Sequence, residues 1–451
     1  MPSDVREQRR RLRSGRGFVL ALLGLVVLPV LVRGGEPWTL ERAIHHALTN
    51  SPDARIAVQR IVAAQAGIEQ ANAAFLPKLQ FNASYLRTDN PMLVFGAALN
   101  QRAFSFGMNF NDVPDADNLN LNGLVTMPVY AGGRIRAGRK AAQANSEATR
   151  QMADAVRNSL AYEVARTFYS AHKTREFIRA TEAAVQGFES NLAVARKRFE
   201  AGTALRQDVL DVEVRLAQAR EDRVRARNAN ALALRALRNL LGIEEPALEI
   251  GDAAPAVAAP DSGEPRHRPE FLAALWRTQA AEAQLRQARS GFLPQLSAFG
   301  RYDYDEGWKF DGSGDSYSAG VHLQWDVWDG DLTRARVKEA RAALDEAREE
   351  ERKVRLAIGL EVEQAQLNLQ ESSERLAVSA QSVDQAAESV QLTRARFEQG
   401  LALATQAIDA ETALTAARVR RAEAESDRQI ALAALRKALG LPQLASDPSQ
   451  P

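Results

Sequence analysis

The residue types best able to hold charge at a helix start follow a phrase that the chain carries twice. "RFEAGTALRQD" begins at Arg198 and "RFEQGLALATQ" at Arg396. Six and nine residues after Gly202 stand Asp208 and Asp211. At the same steps after Gly400 stand Gln406 and Asp409. Each glycine sits where a chain ending one helix needs a permissive backbone. A carboxylate just beyond it opens the next helix, where the macrodipole favours negative charge.

No other cluster suggests chemistry. There is no cysteine, which excludes disulfides, thiolate metal sites, thiol catalysis and lipid attachment through an N-terminal cysteine. His45 and His46 are adjacent and cannot share a helix face at ligand spacing, and His172, His267 and His322 are scattered. "GGRIRAGRK" at Gly132 has the outline of a phosphate loop, but its lysine is one place off and no Ser or Thr follows it. It reads as a strand-to-helix turn, repeated as "DGDLTRAR" without the same basic residues. Asn82 in "NAS" is more simply a polar residue on an alternating strand than a glycosylation acceptor. No nucleophile–base pair or cofactor fingerprint is present. The charges of 58 Lys and Arg and 57 Asp and Glu nearly cancel, so nothing points to nucleic acid. The expectation is a protein that is not an enzyme and needs no cofactor or metal.

Residues 1–35 read as a signal peptide. Six arginines from Arg6 to Arg16 precede the apolar run "FVLALLGLVVLPVLV", which is short for a spanning helix. Cleavage is expected near "RGGEPWTL"; an uncleaved inner-membrane anchor is the alternative.

The rest of the chain is written twice. "ALRNLLG" at Ala236 returns as "ALRKALG" at Ala434, and "VYAGG" at Val129 as "VWDGD" at Val327, each 198 residues on. "FLPKL" at Phe75 returns as "FLPQL" at Phe292, 217 residues on. The first copy therefore holds about nineteen extra residues, expected in a loop with no clean period, "NPMLVFGAALNQRAFSFGMNFN". Each copy reads helix, strand, loop, strand, very long helix, tight turn, helix. The first repeat spans 36–243 and the second 267–442, joined by a Pro- and Ala-rich linker at 244–266, with a tail at 443–451. The opening helix is expected over Leu40 to Ala73 and the helix after the first turn over Ala204 to Leu241. The very long helix begins at Gly133 and runs about 100 Å. Val156, Leu160, Val164 and Ala171 form its apolar stripe, matched by Val354, Ile358, Val362 and Leu369.

Strands are expected at about 77–90, 115–130, 294–306 and 315–329, where the period becomes two. Leu79, Phe81, Ala83 and Tyr85 point one way, against Gln80, Asn82 and Ser84. Tyr317, Ala319, Val321, Leu323, Trp325 and Val327 oppose Ser318, His322, Gln324 and Asp326. Aromatics gather near the strand ends, as in a membrane interface belt. Four strands cannot close a barrel, and an open edge in lipid is not tolerated, so closure needs several copies.

The doubled helix–strand–strand–helix–helix unit, the "RFxxGxxxxxD" phrase and the signal segment resemble the TolC family of outer-membrane efflux proteins, from Trp38 to about Pro442. The resemblance implies a mainly α fold with a transmembrane β-barrel portion. Three chains would share a twelve-stranded barrel in the outer membrane of a Gram-negative bacterium, above an α-helical periplasmic tunnel. It implies a passive exit duct of a tripartite efflux or type I secretion system. Its partners would be two further copies of the chain, a periplasmic adaptor, an inner-membrane pump of RND or ABC type, and outer-membrane lipid. It places Gly202, Thr203, Ala204 and Leu205, with Gly400, Leu401, Ala402 and Leu403, at hairpin tips that contact the adaptor. Asp409 and Gln406 would face the periplasmic aperture, with Asp208 and Asp211 as carboxylates of the first hairpin. A three-fold ring of Asp409 would favour cations. The sequence departs from the family at Gln406, at Ala402, where some members carry a bridging arginine, and at Phe397, which lacks a tyrosine hydroxyl. The rival reading is a periplasmic coiled-coil scaffold whose alternating segments form a soluble sheet.

Overall fold

A computed structural model describes residues 37–109, 112–245, 248–252 and 268–444. The expected signal segment, most of the linker and the end of the tail lie outside these residues. All the elements belong to the unit Trp38–Pro451. The first repeat contributes α1 (Leu40–Asn50), α2 (Pro52–Ala73), β1 (Lys78–Thr88), α3 (Pro91–Asn100), β2 (Ala116–Tyr130), α4 (Arg134–Glu200) and α5 (Arg206–Leu241). The second contributes α6 (Pro269–Arg289), β3 (Gln295–Gly307), β4 (Gly312–Gln324), α7 (Leu332–Glu398) and α8 (Ala404–Ala438).

Three expectations are corrected. The opening helix of the first repeat is two helices, because Pro52 lacks an N–H and holds Ser51 at φ −58°, ψ 140°, outside the helical region. The extra segment of the first repeat is not all loop. The Asn90 side chain accepts from the Met92 and Leu93 N–H groups, Pro91 takes the first helical position, and α3 follows. β4 starts and ends earlier than expected, so Trp325 and Val327 lie beyond it. There the chain turns into α7: the Trp325 indole donates to the Phe292 carbonyl, and Asp329 accepts from both Thr333 N and Oγ1.

The two longest helices, α4 and α7, have 67 residues each, about 100 Å of rise. Near its start α4 packs through Ala137, Ala141, Ala144 and Ala148, at steps of four and three. Small side chains at that spacing let neighbouring helices come close. α2 and α6 lie along the first part of α4, and α5 and α8 along the rest. At mid-length Leu160, Val164 and Phe168 meet Leu40, Ile44, Leu237 and Leu241 in one apolar cluster. His172 lies beside it. Burial and the neighbouring Arg175 guanidinium push its imidazole down to about 4, so it stays neutral near pH 7. Of the two matched stripes, that of α4 is mostly buried, whereas only Ile358 is buried in α7.

The four strands form one antiparallel sheet in the order β1–β2–β3–β4. Register sorts the faces as the sequence alternates. Phe81 pairs with Gly123, Gly123 with Tyr302, and Tyr302 with Tyr317, all on the apolar face. Asn82 pairs with Asn122, Asn122 with Asp303, and Asp303 with Ser316, on the polar face. Asn118 and Asn120 donate to Asp305 and Arg301 donates to Asp303, so this face is a continuous polar network. The chain after α3 folds onto the polar face. The buried Gln101 amide donates to the Asp117 carbonyl and to Asn118 Oδ1. Gly307, Gly312 and Gly314, all on that face, leave the room it needs, since a Cβ at each would strike Asn100 or Gln101.

That fit gives a prediction. Gly312→Val should unseat residues 91–103 from the strand ends while leaving the long helices intact. Hydrogen exchange of Gln101 and Arg102 should accelerate on the order of tenfold or more, as the segment opens locally; unchanged exchange would show that the glycines are not its seat.

Candidate functional site at the hairpin tips

Both helical hairpins turn by the same local chemistry. α4 ends at Glu200 and Gly202 takes φ +74°; α7 ends at Glu398 and Gly400 takes φ +83°. Thr203 N–H donates to the Arg198 carbonyl and Leu401 N–H to the Arg396 carbonyl, each at 2.8 Å. These 6→1 bonds with a left-handed glycine are Schellman closures. The next helix begins two or three residues later. Leu205 and Leu403 are its N-caps and have no side-chain acceptor. The bond comes from the other side: Leu205 N–H donates to Asp208 Oδ2 at 2.9 Å, and Leu403 N–H to Gln406 Oε1 at 3.1 Å. Asp208 and Gln406 are therefore equivalent helix-start caps. Gln406 can fill the role of Asp208 because an amide oxygen accepts as a carboxylate does.

The other expected site residues divide by exposure. Leu205, Leu401 and Leu403 are large apolar side chains 70%, 73% and 65% exposed at the tips. Gly202, Thr203 and Gly400 are exposed and Ala204 is half-buried. Ala402 is buried and offers no surface in this arrangement. Asp409 is exposed on α8, and Asp211 is partly exposed on α5.

The two tips are tied to each other, and the tie was not foreseen from the sequence. Arg198 Nη1 donates to the carbonyls of Phe397 (3.2 Å) and Ala402 (3.5 Å), and Nη2 to that of Thr203 (3.2 Å). Its guanidinium stands 5.2 Å from the centre of the Phe397 ring. One arginine thus bonds the backbone of both turns. The turn at Ala402, whose own side chain carries no charge, is reached by an arginine of the other hairpin through its backbone carbonyl. Phe397 is 1% exposed beneath it, while its repeat partner Phe199 is 43% exposed. The doubled phrase marked Arg198 and Arg396 alike; only contact in three dimensions separates them. Ala184, Phe188, Leu192, Val212, Ile408 and Ala404 complete the apolar cluster below.

Glu411 is the second residue that the sequence did not single out. It lies two residues beyond Asp409 yet is 5% exposed, held between α4 and α8. A Cβ at Gly187 would collide with its carboxylate, so the glycine makes the space. Burial pushes its carboxyl up, opposed by Arg394 and Arg418.

The comparisons with known proteins fall into place on this geometry. A family model described as outer membrane efflux protein matches residues 43–243 and 266–441. The chain belongs to the outer membrane efflux protein family. Among curated relatives, outer membrane protein TolC of Vibrio cholerae is 26% identical, covering 94% of both chains. Protein CyaE of Bordetella pertussis is 28% identical over 73% of this chain and 69% of its own. The solved structure of the outer membrane protein VceC from Vibrio cholerae superposes with a TM-score of 0.76 at 22% identity, covering 90% of this chain and 97% of that one. The efflux protein therefore has the channel-tunnel fold, with its sheet in the outer membrane and its helices in the periplasm. Among the described residues no helix is long and apolar enough to cross a membrane.

Two predictions concern the tips. Arg198→Ala removes charge-assisted bonds to three carbonyls, each worth about 1.5–3 kcal/mol. It should loosen the tips and raise single-channel conductance, whereas Arg396→Ala should leave conductance unchanged; equal behaviour of the two would remove the tie. Glu411 has a folded pKa above its unfolded value. Its contribution to stability is full below the unfolded pKa and is lost as pH rises through the folded one. Glu411→Gln should therefore raise the thermal midpoint at pH 7.5 and change it little at pH 4. An equal rise at both pH values would show that ionisation is not the cause.

Proposed function

We propose that the efflux protein is the outer-membrane exit duct of a tripartite efflux or type I secretion system. It acts as a homotrimer, docked at its hairpin tips to a periplasmic adaptor and served by an inner-membrane pump. It performs no reaction of its own. One observation carries the reading. The four-stranded sheet has an apolar outer face, with Leu79, Phe81, Tyr317, Val321 and Leu323 exposed, and its edge strands β1 and β4 are unpaired. Lipid covers such a face, but it cannot satisfy the backbone groups of an edge. Pairing β4 of one copy with β1 of the next satisfies both edges, and three copies give twelve strands.

The helices support the same assembly. α4 buries 24 of its 67 residues, whereas α7, its counterpart of equal length, buries seven. α4 has neighbours on both sides. α7 lacks one, and Leu356, Leu360, Leu367 and Val378 stand exposed along it. On the opposite side of the chain Val58, Val62, Val214 and Leu232 are bare on α2 and α5. Pairing these two surfaces around a three-fold axis closes a tunnel. Leu205, Leu401 and Leu403 then line its periplasmic end as an apolar docking ring, and three copies of Asp409 carry negative charge there. A soluble coiled-coil scaffold is not favoured, because it leaves the apolar sheet face in water.

The test is direct. Purified in mild detergent, the protein should have the mass of three chains and form channels in planar bilayers. Asp409→Ala should lower the preference for cations, read as a shift of reversal potential under a salt gradient. A monomeric mass removes the shared barrel, and an unchanged reversal potential removes the Asp409 ring.

A further inference from the structure

We infer that the efflux protein carries, where its sheet meets its helices, a lumenal site for anionic groups, and that solutes bearing several phosphate or carboxylate groups are among those it conducts. The inference rests on the duct reading, because that reading makes the polar face of the sheet the lining of the lumen. A cavity of about 610 Å³ lies where the end of α2, the start of α4, α6 and the sheet converge. Lys78, Arg134 and Arg139 supply its charge, and Thr126, Ser297 and Gln287 its neutral hydrogen-bonding groups. No Asp or Glu lines it. Lys78 and Thr126 are cross-strand partners, and with Ser297 they occupy polar-face positions. The site therefore opens on the same side as the Asn and Asp network.

The charge continues down the tunnel. A second cavity, of about 340 Å³, lies on α4 near Asn145, Thr149 and Val156 and takes its charge from Arg60 and Arg277, again with no carboxylate. On α4 the lining positions Arg134, Gly138, Asn145, Thr149, Met152 and Val156 recur at steps of three, four and seven, so one face serves both cavities. The opposite face of α4 lines a third cavity in which Lys140 and Arg286 stand among Glu147 and Glu282. That third cavity carries no basic excess.

None of the five lumen cations has an ion pair within the described chain, although three other exposed arginines on α4 do: Arg150 with Glu147, Arg166 with Glu163, Arg179 with Glu176. The arrangement also opposes the helix dipole. The first turn of α4 holds Arg134 and Arg136 and no acid. The matching turn of the second repeat is balanced, with Asp329 bonded to Thr333 and Asp331 paired with Arg334. Unbalanced cations on one face of a water-filled lumen repel one another until an anion joins them. Guanidinium forks beside hydroxyl and amide donors suit phosphate and carboxylate oxygens. The volume suits a small polyanion more than a single halide.

The experiment uses the full-length trimer in planar bilayers with pyrophosphate and, separately, citrate added from the extracellular side. Wild-type current should be blocked by both, with less block at high salt. The triple variant K78Q/R134Q/R139Q should raise the half-blocking concentration by about tenfold or more. R60Q/R277Q, with the first cavity intact, should raise it less. R136Q removes a charge at the same helix start without lining either cavity and should leave block unchanged. Block by pyrophosphate alone would narrow the class to phosphates and overturn the carboxylate half of the inference. Equal block in wild type and triple variant, or none in a conducting wild type, would overturn the site. Calorimetric titration of pyrophosphate into the detergent-solubilised protein separates the two readings. A wild-type protein that binds it through these residues but never conducts would refute the duct and keep the site. One that conducts but binds nothing would do the reverse.

Discussion

The outward-facing backbone N–H and C=O groups of the edge strands β1 and β4 have no strand partner within one chain, and hydrocarbon offers them none. Leaving even a few unsatisfied costs several kcal/mol each. That cost outweighs any preference of the sheet to stay alone, and much else follows from it. Pairing edge to edge forces a closed ring of copies. A closed ring fixes one polar face inward and one apolar face outward. The middle of the sheet obeys that division, with Phe81, Tyr302 and Tyr317 on one side and Asn82, Asp303 and Ser316 on the other.

The helices inherit the same geometry. A ring of copies needs each chain to present two unlike lateral surfaces, and a duplicated chain starts with two like halves. The halves have diverged where their positions differ. α4 is internal and alanine-rich at close approaches, whereas α7 is lateral and keeps leucines for a neighbour. Divergence appears again at the tips. Arg198 reaches across to the second turn, and Arg396 has no second turn of its own chain to reach. Phe397 is buried because Arg198 lies over it; Phe199 lacks such a cover.

Much of this was legible in the sequence because two solvents write two periods. Lipid on one side and water on the other impose a period of two, and close helical neighbours impose steps of three and four. Gly202 and Gly400 marked the turns because few other residues accept φ near +80°. What escaped had local causes hidden inside a regular pattern. Pro52 continues the apolar rhythm of its helix while breaking the backbone. Asn90–Pro91 is a helix start, but the eight residues after it, Met92 to Leu99, hold no polar side chain and show no face. Arg198 and Glu411 could not be found by pattern, since each acts through a contact far away in sequence. The basic turn at Gly132 was visible, but only as a failed phosphate loop. Its arginines gain meaning from Lys78 and Ser297, which the fold brings beside them.

In the proposed trimer Asp409 stands toward one end of the tunnel and the basic side chains toward the other, and that order bears on how a passive duct conducts. Asp409 stands near the tips, whereas Lys78, Arg134 and Arg139 stand near the sheet. A lumen of uniform sign concentrates the opposite ion and holds it. A lumen with negative charge at the entrance and positive charge deeper in slows small ions of either sign, because each meets one unfavourable region. In the proposed assembly a polyanion inside the helical tunnel has already passed Asp409, and it meets the basic region only when it comes close to it. Screening limits each region to about 8 Å at physiological ionic strength, far less than the roughly 100 Å of α4. In the proposed trimer the two regions therefore act in sequence along the path, not as one averaged field.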